Sequence, residues 1–428
     1  MNVAEAIANG TPGSPPGSMP KDRLQSSIGR MVAWLDQFGE TSQDLYDFYA
    51  CRYGQWAKRR YYRGTLSGKL LVSPLVAMET FAPGLRSFFR PKTRFPLADA
   101  HYAMGYAYLF QATRQSDFLA RANHYLDALV RTRCRGYDDY CWGYPFDWET
   151  LRGNIRSGTP LITTIPYCYE AFSAVQEVAP AENNQRILKS IAEHVWRDYS
   201  NTRGPSRGYA ASYTPDDHSM VLNASAYRAF LLTRASKDFG ESRYWESAER
   251  NLEFVLSSQL PDGSWFYSLD GPDKFTDHFH TCFVMKALAK IALLTGHEGC
   301  YGAIDRGMRY YLDNLIDQDA LPVPFSRKPR LVIYKRELYD YAECINLCLL
   351  LRHRIHECDA ILDRTLQDLM TRWQHPDGFF RTRKLFVGWN NVPMHRWGLS
   401  IVFRSLCLYL RQSSQNGPLL QPSNPLNQ

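Results

Sequence analysis

The sequence predicts an all-α protein whose helices close into a ring of six hairpins, an (α/α)6 toroid. Three observations predict it. Six strongly apolar segments recur along the 428 residues, segments with a single apolar stripe lie between them, and short turns alternate with long loops crowded with aromatic and titratable residues. A repeat of this size marks a supersecondary unit that buries its core by stacking on its neighbours.

The elements follow in order. Residues 1–22, rich in Pro, Gly and Ser, read as a disordered tail, with neither the basic region nor the apolar core of a secretory signal. A first helix carries Ile28, Met31, Val32 and Leu35 on one side. The apolar segments then start near residues 99, 164, 222, 280, 341 and 395, roughly 54 to 65 residues apart. Several are apolar almost all round, as helices buried on every side are. Between them, Trp245, Ala248, Leu252 and Val255 form one stripe. Ile304, Met308, Tyr311, Leu312 and Leu315 form another, and Leu362, Leu366, Leu369 and Trp373 a third. Spacings of three and four place each set on one helix face, the pattern of an outer helix covering a core. Five inner helices have an outer partner downstream. The sixth ends near the C-terminus, and the N-terminal helix supplies its partner, which closes the ring and sets it apart from an open solenoid. One toroid domain therefore spans 23–412, and 413–428 read as a second tail. Strands are expected only as short pairs in "SWFYSL" and "FFRTRKLFVGW".

Composition bounds the function. Aromatics make up 14% of the chain, with 27 Tyr and 10 Trp, side chains that bury area while keeping a polar handle and so suit sugar clefts. The net charge of +7 is gathered in clusters at 58–63, 131–135, 326–330 and 381–384, which suit an anionic polymer or pyrophosphate. No nucleic-acid module accompanies them, so nucleic acid is not an expected partner. The ten cysteines are scattered, without metal-ligand or CxxC spacing, as reduced and buried thiols of a cytoplasmic protein would be. No stretch approaches a membrane span; peripheral membrane contact stays open. No HExxH, P-loop or dinucleotide fingerprint is present, so neither a metal nor another cofactor is expected.

In a closed ring every connection from an outer helix to the next inner helix emerges on one face, around the mouth of the central funnel. The unusual loops all belong to this class, whereas the inner-to-outer turns, "TRQSD" and "SKDFGES" among them, are short and ordinary. Chemistry-bearing residues therefore gather at one mouth. Asp147, between Trp142 and Trp148, is a carboxylate among aromatics, suited to general acid work once desolvated; capping a helix or pairing with Arg152 is the plainer role. Asp277 and His280 straddle the start of the fourth inner helix, with His278 beside them. Asp277 as an N-cap, and one histidine turned away from the funnel, are the ordinary outcomes. Asp217 follows Tyr213 and precedes the third inner helix, where an acid complements the helix dipole without catalytic work. Glu337 follows Tyr334 before the fifth. Trp265 and Tyr267 are expected to wall the funnel opposite Asp147, and Trp389, Arg396 and Trp397 to form a stacking platform with a cation.

The pieces "CWGYPFDW", "TPLITT", "SYTPDDHSMVLNAS", "DGSWFY", "DHFHT" and "MHRW", in this order, resemble a family of cytoplasmic proteins from bacterial cell-envelope and exopolysaccharide clusters. The resemblance runs from about residue 46 to 410. It implies a six-hairpin toroid similar to the six-hairpin glycosidases and to toroidal epimerases and lyases. It also implies a polysaccharide or lipid-linked oligosaccharide substrate, anionic if the basic clusters meet it, in envelope polysaccharide synthesis. Two chemistries stay open. Hydrolysis would set Asp147 against Asp277 or Glu337 across the scissile bond, about 6.5–9.5 Å apart for inversion. Epimerisation or elimination at a uronate would use His280, Tyr267 and Tyr213 as acid and base with Arg396 as the cation. A non-catalytic glycan-binding scaffold would keep the aromatics and lack a paired acid and base. A terpene-cyclase-like toroid ranks last, because the aspartate-rich initiator motif is absent.

Overall fold

Two kinds of helix alternate along the chain, and their burial tells them apart. The computed structural model describes residues 19–415 except 89, 206, 272–273 and 330–331. Six inner helices, α4 (Pro96–Thr113), α6 (Ile165–Gln176), α8 (Leu222–Phe239), α10 (His278–Thr295), α12 (Leu338–Leu351) and α14 (Ser400–Gln415), stand side by side, and α14 returns to α4. On α10, His278 and then Thr281 through Ala289 are buried without a break, as on a helix enclosed on all sides. Six outer helices cover them: α1 (Lys21–Phe38), α5 (Ser116–Thr132), α7 (Glu182–Arg197), α9 (Ser242–Ser257), α11 (Glu298–Asn314) and α13 (Glu357–Asp368). These bury one face only; α11 hides Cys300, Ala303, Ile304, Met308 and Tyr311 at helical spacing.

The ring closes as expected. Helix α1 packs on α14, Ser27 Oγ donates to Gln374 Oε1 at 2.9 Å, and His395 Nε2 meets the Gly39 carbonyl at 3.0 Å. One continuous apolar core runs round the ring. Helix α1 begins at Lys21, inside the expected 1–22 tail, and α14 runs to Gln415. The rest of the two tail assignments, 1–18 and 416–428, lies outside the described residues.

Three differences from the sequence reading have physical causes. First, the connection from α1 to α4 holds an extra hairpin, α2 (Arg52–Tyr62) and α3 (Leu66–Phe81). Thr65 Oγ1 caps α3 by accepting from Gly68 N–H at 3.1 Å. A Cβ on Gly68 would come within 2.3 Å of the Arg60 carbonyl, so the two helices touch backbone to backbone. Second, "SWFYSL" forms no strand; only Ser268 pairs, with Val221. Short antiparallel pairs occur instead at β1 (Trp148–Thr150) with β2 (Gly153–Ile155), β3 (Asn201–Arg203) with β4 (Tyr209–Ala211), and β5 (Thr276–Asp277) with β6 (Phe325–Arg327). In the last sheet β7 (Tyr334–Glu337) pairs with β8 (Arg383–Leu385), which pairs with β9 (Trp389–Asn390), so "FFRTRKLFVGW" is a hairpin as expected. Third, the segment over His395–Leu399 is not regular helix. Gly398 has φ +108°, and a Cβ there would lie 2.9 Å from Leu338. Only glycine fits this bend, and the bend turns Arg396 and Trp397 into the funnel.

Candidate active site

All nine strands, the bent segment and the α2–α3 hairpin lie in outer-to-inner connections, so they surround one mouth. It encloses a cavity of about 1660 Å³. The first residues of α8, α10 and α12, namely Asn223, Phe279, His280 and Tyr339, form part of its floor. Those helices present N-terminal ends to it, which favours negative charge in a ligand. Tyr144, Trp148, Tyr213, Tyr267 and Trp397 stand around the floor, and Tyr46, Tyr49, Tyr61 and Tyr62 close the side formed by the hairpin.

The sharpest chemical feature is at the start of α10. Asp277 is the N-cap, and its Oδ1 accepts the His280 backbone N–H at 3.0 Å. Its Oδ2 lies 2.7 Å from His280 Nδ1. A carboxylate at Nδ1 accepts a hydrogen bond from Nδ1–H, which fixes the tautomer and leaves Nε2 as the unprotonated acceptor. Asp277 is buried and His280 half-buried among rings: Phe279 stands 4.4 Å and Tyr267 4.5 Å from the imidazole centre. Cap and orienter are one side chain, and this is the arrangement of an oriented general base.

The other expected acids have prior engagements. Asp217 accepts from Tyr213 N–H, Thr214 N–H and hydroxyl, and Ser219 N–H and hydroxyl. Its carboxylate borders the cavity but clamps its own loop. Asp147 does not line the cavity; it accepts from Ser157 N–H at 2.8 Å and fastens the base of the β1–β2 hairpin. Glu337 borders the cavity, buried, with Oε1 on Arg383 Nε and Oε2 without a hydrogen-bond partner. Arg383 also reaches Glu79 of α3 at 3.1 Å and lies over the Tyr334 ring at 4.3 Å. Asp340, one turn further along α12, is buried with neither oxygen hydrogen-bonded, its Oδ1 lying 3.5 Å from His278 Nδ1. Burial, reinforced by Glu337 and Asp277, pushes its carboxyl well above the usual range, which favours the neutral form.

Among the expected binding residues, Trp148 faces the cavity, stacked on Tyr46 at 5.6 Å. Arg152 lines it while pairing with Asp270 at 3.1 Å. Arg396 and Trp397 line it too, but Arg396 is not the free cation of a platform. Both its ends meet Asp44, at 2.7 and 2.6 Å, Tyr144 OH lies at 3.0 Å, and Arg396 and Asp44 are both buried. Beside them Asp47 is pushed up to about 7 by burial and the Asp44 charge. Trp142 is core: its Nε1 donates to the Leu129 carbonyl at 2.8 Å. Trp265 donates to the Val255 carbonyl at 3.0 Å and borders only a crevice of about 10 Å³ behind His280. His278 is the histidine that turns away, into the wall, 2.8 Å from Tyr311 OH. Trp389 stands outside the cavity, edge-on to Trp373 at 5.0 Å with Lys384 over its ring. Tyr213 receives a hydrogen bond from Thr163 Oγ1 at 3.2 Å, and burial keeps its phenol protonated well past the usual range. It can donate a proton and cannot serve as a resting base.

Sequence reasoning missed the wall formed by Tyr46, Tyr49, Lys58, Tyr61 and Tyr62. The signal was there: a gap of about 60 residues between the first two assigned helices is longer than a compact domain leaves unstructured. It also missed Asn223, whose Oδ1 is buried without a partner beside His280. Among the described residues no three His, Cys, Asp or Glu side chains are placed to hold a metal ion together.

Solved structures share this architecture. An unsaturated glucuronyl hydrolase specific for heparin superposes with a TM-score of 0.62 at 9% identity, covering 94% of this chain and 99% of its own. A possible member of the GH105 family from Salmonella enterica gives 0.62 at 11%, with 95% and 98% covered. A sugar epimerase from a ruminal bacterium gives 0.58 at 11%, with 75% and 88% covered. The chain has the six-hairpin glycosidase-like toroid fold. No family model and no curated protein matches its sequence.

Proposed function

We propose that this protein is a carbohydrate-active enzyme that binds an anionic glycan in the mouth cavity and moves a proton at a uronate, as an epimerase or lyase does. The observation that carries this reading is the Asp277–His280 pair, which lines a cavity walled by tyrosines. Hydrolysis would need two carboxylates at work across a bond. Here Asp147 is outside the cavity, Asp217 is saturated by its loop, and Glu337 is tied to Arg383. His280 Nε2 takes the proton from the carbon next to the uronate carboxylate, and Asp277 stabilises the imidazolium that forms. The charge left on the carboxylate oxygens sits over the inner-helix N-termini. The protonated phenol of Tyr213 or Tyr267 supplies a proton, to the opposite face of that carbon in epimerisation or to the departing oxygen in elimination. The named activities of the structural neighbours, an epimerase and a glucuronyl hydrolase among them, are in keeping with sugar chemistry at such a mouth. The resemblance of its motifs to those of envelope-cluster proteins favours a polysaccharide or lipid-linked oligosaccharide in envelope synthesis. All ten cysteines are free thiols, in keeping with the cytoplasm.

The test is solvent-deuterium exchange by NMR on uronate-containing bacterial glycans. The wild type should wash deuterium into the position next to the carboxylate or form the unsaturated product, and His280→Ala should slow this by at least about 10²-fold. Glycans that bind without exchange, elimination or cleavage would make the protein a scaffold.

A further inference from the structure

Helix α3 turns an apolar stripe outward. Leu66, Leu70, Pro74, Ala77 and Phe81 follow one another at spacings of four, four, three and four, so they share one helix face. Every one of them is exposed. Leu66 is 73% exposed, Leu70 66% and Phe81 84%, and the following turn adds Phe88 at 81%. On α2, Tyr53, Trp56 and Arg60, with Arg63 just past its end, form a second exposed face. Of the eleven large apolar side chains exposed among the described residues, seven lie between residues 53 and 88. What apolar contact the hairpin buries is small, centred on Ala57 and Leu75. Hydrogen bonds and ion pairs hold it to the ring instead: Lys58 to the Glu149 carbonyl, Arg59 to Glu149, and Glu79 to Arg383.

Charge says what covers this face. Residues 48–98 contain ten Lys and Arg and a single acid, Glu79, which is buried in its ion pairs. Arg52, Arg60, Arg63 and Lys69 are exposed beside the apolar stripe. A second protein surface would have to bring acids to match. A bilayer of anionic phospholipid supplies both needs at once, apolar depth for Leu66, Leu70 and Phe88 and phosphate for the arginines. Nucleic acid would meet the arginines and leave the leucines in water. We infer that the α2–α3 hairpin docks the protein on an anionic phospholipid bilayer. Ala77 and Phe81 belong both to the exposed stripe and to the cavity lining, so docking sets the mouth at the lipid headgroups, where a lipid-carried glycan presents itself. Docking itself does not depend on the chemistry proposed for the mouth.

Sedimentation of the full chain with vesicles tests this without any glycan present. The wild type should partition onto phosphatidylglycerol–phosphatidylcholine vesicles, less onto pure phosphatidylcholine, and less again as salt is raised. Replacing Arg52, Arg60 and Arg63 together by Gln should lower partition onto the anionic vesicles by about 10²-fold, roughly fivefold per cation. The triple change Leu66→Ser, Leu70→Ser and Phe88→Ser should lower it at least about tenfold on the same vesicles. These side chains are exposed, and unchanged melting curves confirm the comparison. No partition of the wild type, or partition that the serine changes leave intact, overturns the inference. So does a dimer in solution that the serine changes dissolve, because the face would then belong to a second copy.

Discussion

The ring and the α2–α3 hairpin are both helical, yet they are held by opposite means. The ring's inner helices bury every face in one apolar core that repeats six times. The hairpin buries almost nothing apolar and is pinned by a few charged groups, Lys58, Arg59 and Glu79. Packing is dense and non-directional, so it fixes the ring wherever the pattern recurs. Ion pairs are directional and specific to their partners, so the hairpin's place depends on particular residues at β1 and β8. The mouth lies where the two regimes meet. Its floor is rigid helix start, and one wall is a loosely held hairpin.

This contrast can be broken or sharpened by experiment. The largest stability effect is expected at the junction. Arg396→Ala leaves Asp44 buried without its partner and should cost about 3–5 kcal/mol in denaturant unfolding, whereas Leu70→Ser on the hairpin should change stability by less than about 0.5 kcal/mol. Equal costs would mean that the hairpin is as tightly built into the core as the ring. A smaller but more local difference should appear in hydrogen exchange. Amides of α2 and α3 should exchange through local opening well before those of α10 and α12, which open only with the whole ring. Added salt should widen the gap, since it weakens the Arg59–Glu149 pair, whose arginine is exposed, and leaves apolar packing untouched. Uniform protection across both regions would contradict the division.

The same contrast explains what could be read in advance. The ring was legible because a buried helix must be apolar in a way that recurs at every repeat; the starts near 164, 222 and 280 fall within two residues of α6, α8 and α10. The hairpin was not, because its apolar stripe faces outward and so does not announce a core. At the mouth, residue type pointed to the right loops but not to each side chain's duty. Trp142 and Trp265 carry an indole N–H that a core backbone carbonyl can satisfy, and both were drawn inward to Leu129 and Val255. Asp217 and Asp147 look like acids for catalysis, yet loop backbone N–H groups nearby claim them first. Asp277 and His280 differ because the N-cap geometry leaves Oδ2 free for the imidazole. The break at Gly398 that aims Arg396 and Trp397 has no periodic signature, only a lone glycine inside an apolar run.

The central claim is that Asp277 and His280 act as one proton-transfer unit, and a double-mutant cycle on turnover tests it most directly. On a glycan that the wild type converts, His280→Gln should lower kcat by about 10²-fold or more while glycan binding and melting temperature hold. Asp277→Asn keeps the helix cap but loses the carboxylate that fixes the imidazole tautomer, so it should also lower kcat. The double variant should be no worse than His280→Gln alone, because groups that act together are not additive. Losses that multiply, or a folded His280→Gln protein with full turnover, would contradict the account.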